Sequence, residues 1–251
     1  MIKRIAFLLL SFGLVFSASA KADTAQGTWS LSSANGSLQL EMHWSDGKGS
    51  QTNDHSGFVD AAALGIASAL ASAGQHATFH LHRDAGDFTF DGWLGKGEGA
   101  GNYTFTSNEA FFNALRSRGY NIETLNYKMA FATLDITNAY IDQMERLGYK
   151  GDVNHLVAMK ALGVTPEYVA QLQSTGVTEL DASHVISLKA LHVNPQFIKE
   201  IASAGFPRLS ANEYVTLKAM HVDAAYIRYL RSHGFKDLTV NQVVSMKAEG
   251  I

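Results

Sequence analysis

The chain has no cysteine among its 251 residues. This absence excludes disulfide bonds, thiolate metal ligands and cysteine nucleophiles, so the fold must be held together by packing. It also excludes lipid attachment to a cysteine behind the N-terminal apolar segment. No later stretch is apolar enough to cross a bilayer, which takes about 20 residues.

The chain also lacks an excess of positive charge. Residues 107–251 contain 14 Lys and Arg against 14 Asp and Glu, so their net charge is zero. Residues 23–106 contain three basic and nine acidic residues, a net charge of −6. Binding to nucleic acid or to an anionic membrane surface requires clustered positive charge, so neither is expected.

The common catalytic motifs are absent too. The chain contains neither G-x-S-x-G nor H-E-x-x-H. The glycine-rich run Gly95–Gly101 lacks the spacing of a phosphate-binding loop and lies between two strand patterns, which predicts a hairpin. These observations predict a protein that is not an enzyme and that needs no cofactor.

The N-terminus has the pattern of a secretory signal peptide. Lys3 and Arg4 precede the apolar stretch Ile5–Phe16, and a small-x-small cleavage signal follows at Ala18–Ala20 or Ala20–Ala22. We therefore predict a signal peptide over residues 1–22 and a periplasmic or secreted mature chain.

Residues 23–106 are predicted to form an antiparallel β-domain. Apolar side chains alternate along Ser37–Trp44 and Ala77–His82, and the same period of two runs through Phe88, Phe90, Tyr103 and Phe105. The alanine-rich stretch Ala61–Ala73 predicts a short helix that covers the sheet.

Residues 107–251 repeat with a period of about 29 residues. An aromatic-led segment ending in glycine recurs, and its closing glycines step by 29, 28, 29 and 29 residues (Gly119, Gly148, Gly176, Gly205 and Gly234). Each glycine suits the left-handed position behind a helix. A fixed period in this range predicts stacked supersecondary units.

Capping residues predict two helices in each period. One helix follows Thr137, Thr165, Asn194 and Asp223, and the other follows Asp152, Asp181, Ser210 and Thr239. Equivalent positions are apolar in every copy, as a continuous core requires. The predicted fold is therefore α+β, a small antiparallel β-domain followed by an α-solenoid. The aromatic residues that lead the first helix are expected to stack between repeats (Tyr140, Tyr168, Phe197 and Tyr226).

Two polar rows recur at the repeat period and are candidate contact surfaces. Lysine occurs at equivalent positions in successive copies (Lys160, Lys189, Lys218 and Lys247). This row could bind carboxylates, or the lysine stems could pack on their neighbours while the amines stay in water. His192 and His221 share a position that is glycine in the flanking copies, so they are either part of the same face or a helix end.

Three histidines are candidate metal ligands. His80 and His82 lie on one side of a predicted strand, and His43 has the same phase on another strand. Three imidazoles can bind zinc or copper. The alternative is that all three are solvent-exposed and bind no metal.

Several segments resemble one group of exported bacterial proteins. Gly27–Trp29, Phe79–Gly92 and Gly99–Phe105 are similar to the N-terminal β-domain of that group, and Leu156–Val169 (LVAMKALGVTPEYV) is similar to the helical repeats that follow it. Similar repeats are attached to membrane metallopeptidases of the beta-lactam-sensor type. The resemblance implies the architecture, and because the metallopeptidase motif is missing it implies no peptidase activity.

Together these features predict an exported, non-enzymatic binding protein. Its helical repeats are expected to mediate interaction with a protein or peptide in the cell envelope. The alternative is an envelope sensor or regulatory module that binds a small ligand or a metal through the β-domain.

Overall fold

A computed structural model describes residues 21–34, 37–45 and 52–251. Residues 1–20 of the predicted signal peptide lie outside this range. The described chain forms an antiparallel sheet followed by helices, which confirms the α+β class. The strands are β1 Thr24–Ala34, β2 Ser37–Ser45, β3 Thr52–Val59, β4 Gln75–Arg83, β5 Gly86–Gly95 and β6 Glu98–Ser107.

The six strands form one curled sheet in the order β3-β2-β1-β6-β5-β4. Every neighbouring pair is antiparallel, and β1 lies between β2 and β6. The predicted hairpin in the glycine-rich run is confirmed, because Lys96 and Gly97 join β5 to β6 with φ angles of 56° and 84°. Such a pair of positive φ angles matches the twist of a two-residue hairpin.

One face of the sheet is a continuous apolar core. The predicted alternation is confirmed: Leu40 and Met42 are buried, as are Phe88 and Phe90 of β5 and Tyr103 and Phe105 of β6. Trp29 of β1 lies among these rings and packs edge-on against Phe79, with 5.2 Å between ring centroids. Its indole N–H donates to the main-chain oxygen of Asn102 at 3.0 Å, so the buried polar atom is paired.

The alanine-rich stretch forms a shorter helix than the sequence predicts. Helix α1 covers only Ala67–Ala71, and a turn precedes it. Ile66, Ala69 and Leu70 are buried against the sheet. The main-chain N–H of Gly97 donates to Leu70 at 2.9 Å, so α1 is fixed to the β5–β6 hairpin.

Short helices of nine or ten residues make up the rest of the chain. Each nine-residue helix is about 13 Å long. The helices are α2 Glu109–Ser117, α3 Leu125–Thr133, α4 Asn138–Arg146, α5 Val153–Ala161, α6 Pro166–Ser174, α7 Ala182–Ala190, α8 Pro195–Ser203, α9 Ala211–Ala219, α10 Ala224–Ser232 and α11 Val240–Glu249.

The predicted helix boundaries are confirmed at both ends. All eight predicted N-cap side chains accept a hydrogen bond from a main-chain N–H of the first helical turn, and Ser210 and Thr239 form complete capping boxes with Glu213 and Gln242. The closing glycines have φ between 80° and 117°. This left-handed region is strained for any residue with a Cβ, which explains why glycine recurs there.

A tyrosine closes most of the helix pairs. The hydroxyl of Tyr140, at the start of α4, donates to the main-chain oxygen of Val164, behind α5, at 3.1 Å. Tyr168 donates to Val193 at 2.7 Å and Tyr226 to Ile251 at 2.9 Å in the following units. Each bond fixes the start of one helix to the turn that follows its partner helix. Phe197 occupies the same position in the remaining unit and has no hydroxyl to donate.

Helices of the same kind pack on one another along the chain. Helix α5 contacts α7, α7 contacts α9, and α9 contacts α11. On the other side, α4 contacts α6 and α8 contacts α10. The apolar core runs without interruption from the sheet into the first helices, as far as Val185.

A buried lysine joins the sheet to the first helices. Lys128 of α3 is 4% exposed, and its ammonium lies 2.7 Å from the carboxylate of Asp23 and 2.5 Å from that of Glu109. Ser107 and Arg116 also donate to Glu109, at 2.6 Å and 3.1 Å. Burial alone would raise the pKa of Glu109, but these hydrogen bonds outweigh it, and the pKa lies below its ordinary value of 4.5.

This lowered pKa predicts an acid-sensitive junction. The unfolded chain binds a proton on Glu109 at higher pH than the folded chain does, so stability from this carboxylate is complete above about pH 4.5 and is lost as the pH falls through the folded pKa. We expect Glu109→Gln to destabilise the fold at neutral pH and to flatten the acid-induced decrease in the urea unfolding midpoint. Glu167→Gln, at an exposed glutamate, is the control. An unchanged pH dependence in Glu109→Gln would contradict this role.

Candidate functional site

The helical region has two edges, because neighbouring helices run in opposite directions. We call the edge formed by residues 147–152, 176–181 and 205–210 the loop edge. We call the edge formed by residues 161–165, 190–194 and 219–223 the turn edge. The predicted lysine and histidine rows lie at or near the turn edge, about one helix length (~13 Å) from the loop edge.

Each lysine of the predicted row lies over an aromatic ring. The ammonium of Lys160 is 4.7 Å from the ring centre of Tyr140, and Lys189 is 4.9 Å from that of Tyr168. Lys218 and Lys247 lie 4.8 Å and 4.5 Å from the rings of Phe197 and Tyr226. The structure thus brings the lysine row and the aromatic row together. A cation over an aromatic face within about 6 Å is worth about 0.5–1 kcal/mol at an exposed site. Whether this row also binds a partner stays a prediction.

The two row histidines have an unusual backbone. His192 and His221 have φ angles of 55° and 53°, in the left-handed region. Gly163 and Gly250 hold the equivalent position, with φ of 68° and 78°, and Asp135 holds it behind α3. Both imidazoles are exposed at the turn edge. These residues therefore end a helix, and their side chains remain accessible to a partner.

The structure does not place the three candidate metal ligands side by side. His80 and His82 are neighbours on the exposed face of β4, with 6.1 Å between ring centroids. Their Nδ1 atoms are hydrogen-bonded to Thr89 at 3.2 Å and Asp87 at 2.8 Å. His43 lies on β2, and four strand spacings, about 19 Å measured along the curled sheet, separate β2 from β4. In the part of the chain that the structure describes, no group of three His, Cys, Asp or Glu side chains could hold a metal ion.

A cavity of about 460 Å³ opens at the loop edge, where the loop after α4 meets the starts of α5 and α7. Its lining combines apolar residues with polar and charged ones. The apolar part comprises Leu147, Leu156, Met159, Leu180 and Ala182. The polar part comprises Tyr120, Tyr149, Lys150, Asp152, His155, Gln173 and Asp181.

The cavity coincides with a shortened loop. Three residues lie between Gly148 and the next cap, Asp152, whereas four lie between the corresponding residues of the other units. This difference explains the single 28-residue step. Directly before the cap, Leu180, Leu209 and Leu238 stand in the later units, and Gly151 stands here. Leu209 is 6% exposed, whereas Leu180 and Leu238 are half-buried. The cavity therefore coincides with a loop that is one residue shorter and has no side chain at this position.

The neighbouring loops are held differently. The loops after α6 and α8 share a β-bridge, in which Thr178 donates to Leu209 at 3.3 Å and accepts from Ala211 at 3.0 Å. At the cavity, side chains make the connection: Tyr149 donates to the main-chain oxygen of Leu180 at 2.9 Å, and Gln173 donates to that of Leu147 at 3.0 Å. The loops at the cavity are therefore connected through side chains, whereas the next two loops are connected through the main chain.

Two carboxylates stand at the cavity, and both cap helices. Asp152 accepts from the main-chain N–H groups of Asn154 and His155 at 2.8 Å and 3.2 Å. Asp181 accepts from the main-chain N–H of His184 at 2.8 Å, and chiefly this bond lowers the pKa of Asp181 below its ordinary value of 3.8. Asp181 is therefore ionised at neutral pH, and its side chain is 66% exposed.

Ser183, His155 and Asp152 form a hydrogen-bonded chain beside the cavity. His155 Nε2 lies 3.1 Å from Ser183 Oγ, and its Nδ1 lies 3.0 Å from Asp152 Oδ2. The order is that of a hydrolase triad, but the Asp152 side chain is 50% exposed, whereas a triad aspartate is buried. The preceding unit has the same helix-to-helix contact, because Tyr127 donates to Asn154 at 2.6 Å. The geometry is therefore accounted for by packing between helix starts.

The positive φ angles of His192 and His221 predict that the backbone at these positions affects stability, whereas the side chains affect only partner binding. We expect His192→Gly and His221→Gly each to raise the free energy of unfolding by roughly 0.5–1 kcal/mol, because glycine adopts positive φ without a Cβ penalty. Urea unfolding measures this, and Ala219→Gly, at the right-handed end of α9, should destabilise. If both histidine variants were less stable than the parent, the helix-end role would be wrong. A loss of partner binding without a loss of stability would assign the imidazoles to a contact surface.

Comparison with known proteins adds no relative to this description. No family model, no curated protein and no solved structure matches the chain. The resemblance to exported proteins with a β-domain and helical repeats therefore stays a prediction.

Proposed function

We propose that this chain is an exported, non-enzymatic binding protein whose helical repeats contact a protein or peptide in the cell envelope. The N-terminal sequence pattern supports export. None of the helices that the structure describes is both long and apolar enough to cross a membrane. The packing of α5, α7, α9 and α11 in succession supports the further proposal that the repeats form a short α-solenoid.

The observation that carries the binding function is the cavity at the loop edge. It lies between repeats, its lining combines apolar and charged residues, and about 460 Å³ is within the size range of ligand pockets. The three later units have leucine directly before the helix cap, and this unit has glycine. A recess between stacked units is the kind of surface that repeat proteins use to hold a partner's side chains.

The large pKa shifts belong to tyrosines that the fold buries. Burial raises the pKa of Tyr103, Tyr140 and Tyr168 to about 12. The pKa of Tyr120 is also raised to about 12, by burial and then by its hydrogen bond to Glu145. The hydroxyls of Tyr140 and Tyr168 donate to the main chain behind their partner helices, so these two phenols have a structural role.

The turn edge is a second proposed contact surface. There, Lys160, Lys189 and Lys218 are half-buried over aromatic rings, and His192 and His221 are exposed. The rings hold the amines in a row at the repeat spacing. A partner with regularly spaced carboxylates could bind this row.

Site-specific photo-cross-linking in the producing cells tests the binding function. A benzophenone amino acid is placed at Lys150 on the loop edge, at His192 on the turn edge, or at Thr106 on the exposed face of the sheet as a control. We expect a discrete, saturable cross-linked product from position 150. A product from position 192 alone would support binding at the turn edge. Products from neither helical position, or from position 106 alone, would contradict the proposal.

A further inference from the structure

We propose that the cavity at the loop edge is a specificity pocket for a basic side chain, arginine or lysine, of the bound partner. This inference rests on the proposed binding function and names the chemistry that one pocket recognises. It goes beyond the sequence patterns, which pointed to the opposite edge of the helices.

Charge is the first argument. Asp152 and Asp181 line the cavity together with Lys150 and with His155, whose Nδ1 lies 3.0 Å from Asp152. Asp181 Oδ1 accepts from the main-chain N–H of His184 and lies 2.9 Å from the Nδ1 atom of the same residue. Two thirds of the Asp181 side chain is exposed, so its second carboxylate oxygen can meet an incoming ligand. The two carboxylates favour a cation over an acidic side chain.

The apolar part of the lining is the second argument. Leu147, Leu156, Met159 and Leu180 line the cavity beside the charged residues. Arginine and lysine carry a charged head on a stem of methylene groups, which packs on apolar surface while the head meets carboxylates. Apolar lining residues together with carboxylates are complementary to both parts of such a side chain.

Position in the repeat is the third argument. The cavity coincides with Gly151, which replaces the leucine that precedes the helix cap in the later units, and Leu209 is buried at that position. A guest side chain with an apolar stem would occupy a volume like the one that Leu209 fills in its own unit. The pocket is therefore tied to one unit of the array and gives the partner a fixed register.

Binding of small probes tests the pocket directly. The probes are N-acetyl-arginine amide, N-acetyl-lysine amide and N-acetyl-citrulline amide, which has nearly the shape of the arginine probe and no charge. NMR chemical shifts of the main-chain amides of Gly148, Gly151 and Ala182 report occupancy. We expect saturable shifts with the two cationic probes and about ten-fold weaker binding of citrulline, because citrulline lacks the Coulomb attraction between a cation and the carboxylates. Equal binding of arginine and citrulline, or no shifts at these amides, would overturn the proposal.

The repeat itself supplies a substitution that removes charge and keeps the fold. Ser210 caps α9 at the position that Asp181 holds in α7, so Asp181→Ser retains a capping residue. Asp223→Ser makes the same change at α10, away from the cavity, and is the matched control. We expect Asp181→Ser to weaken arginine binding about ten-fold and Asp223→Ser to leave it unchanged. An equal effect of both variants, or no effect of Asp181→Ser, would contradict a specific carboxylate contact.

A filled cavity provides an independent variant. Inserting one leucine between Gly151 and Asp152 restores the four intervening residues of the other loops. We expect this protein to unfold at the same or a higher urea concentration and to lose the probe shifts. Retained probe binding in the folded insertion variant would place the site elsewhere. Cross-linking from position 150 that persists in Asp181→Ser, without arginine binding to the parent, would refute the pocket's chemistry and leave the binding function standing.

Discussion

The architecture of the helical region from α4 to α11 depends on one contact that recurs in each of the four helix pairs, an aromatic ring held between two helices. The ring stands at the start of the first helix of a pair and lies under a lysine of the second helix, as Tyr168 does under Lys189. Where the ring is a tyrosine, its hydroxyl also binds the main chain behind the second helix. Helices of nine residues are marginal alone, so this cross-connection, with the caps, makes each pair a unit that can stack.

One unit departs from the regular repeat, and the cavity lies at that unit. The ring contacts keep the turn edge periodic from α4 to α11, whereas the opposite edge varies with the loops. One loop is a residue shorter and has Gly151 where leucine stands elsewhere, and a recess lined by Asp152 and Asp181 opens there. The same aspartates cap α5 and α7. The negative charge at the recess therefore comes from residues that also stabilise the helix starts. Structure and proposed binding therefore share residues at this edge.

The sequence predicts what is local and periodic. The caps, the closing glycines and the alternation of Leu40 and Met42 are governed by neighbours in the chain, and all were predictable. Contacts between units were not. The lysine and aromatic rows were visible separately, but their pairing depends on how two helices cross. His43 shares its strand phase with His80, yet strand order, which sequence does not show, separates them. The 28-residue step signalled the short loop, although only packing reveals that it leaves a cavity.

The central claim is that the ring contact closes each helix pair from α4 to α11, and Phe197 offers the direct test because it is the ring without a hydroxyl among these four. Phe197→Tyr should place a hydroxyl at the main-chain oxygen of Val222, the counterpart of Val193 and Val164, and add about 0.5–1.5 kcal/mol to the free energy of unfolding. Tyr168→Phe should remove a similar amount. The measurement is urea unfolding of both variants beside the parent. A higher midpoint for Phe197→Tyr and a lower one for Tyr168→Phe are the predicted results. If Phe197→Tyr were neutral or destabilising and Tyr168→Phe had no effect, the claim would be contradicted.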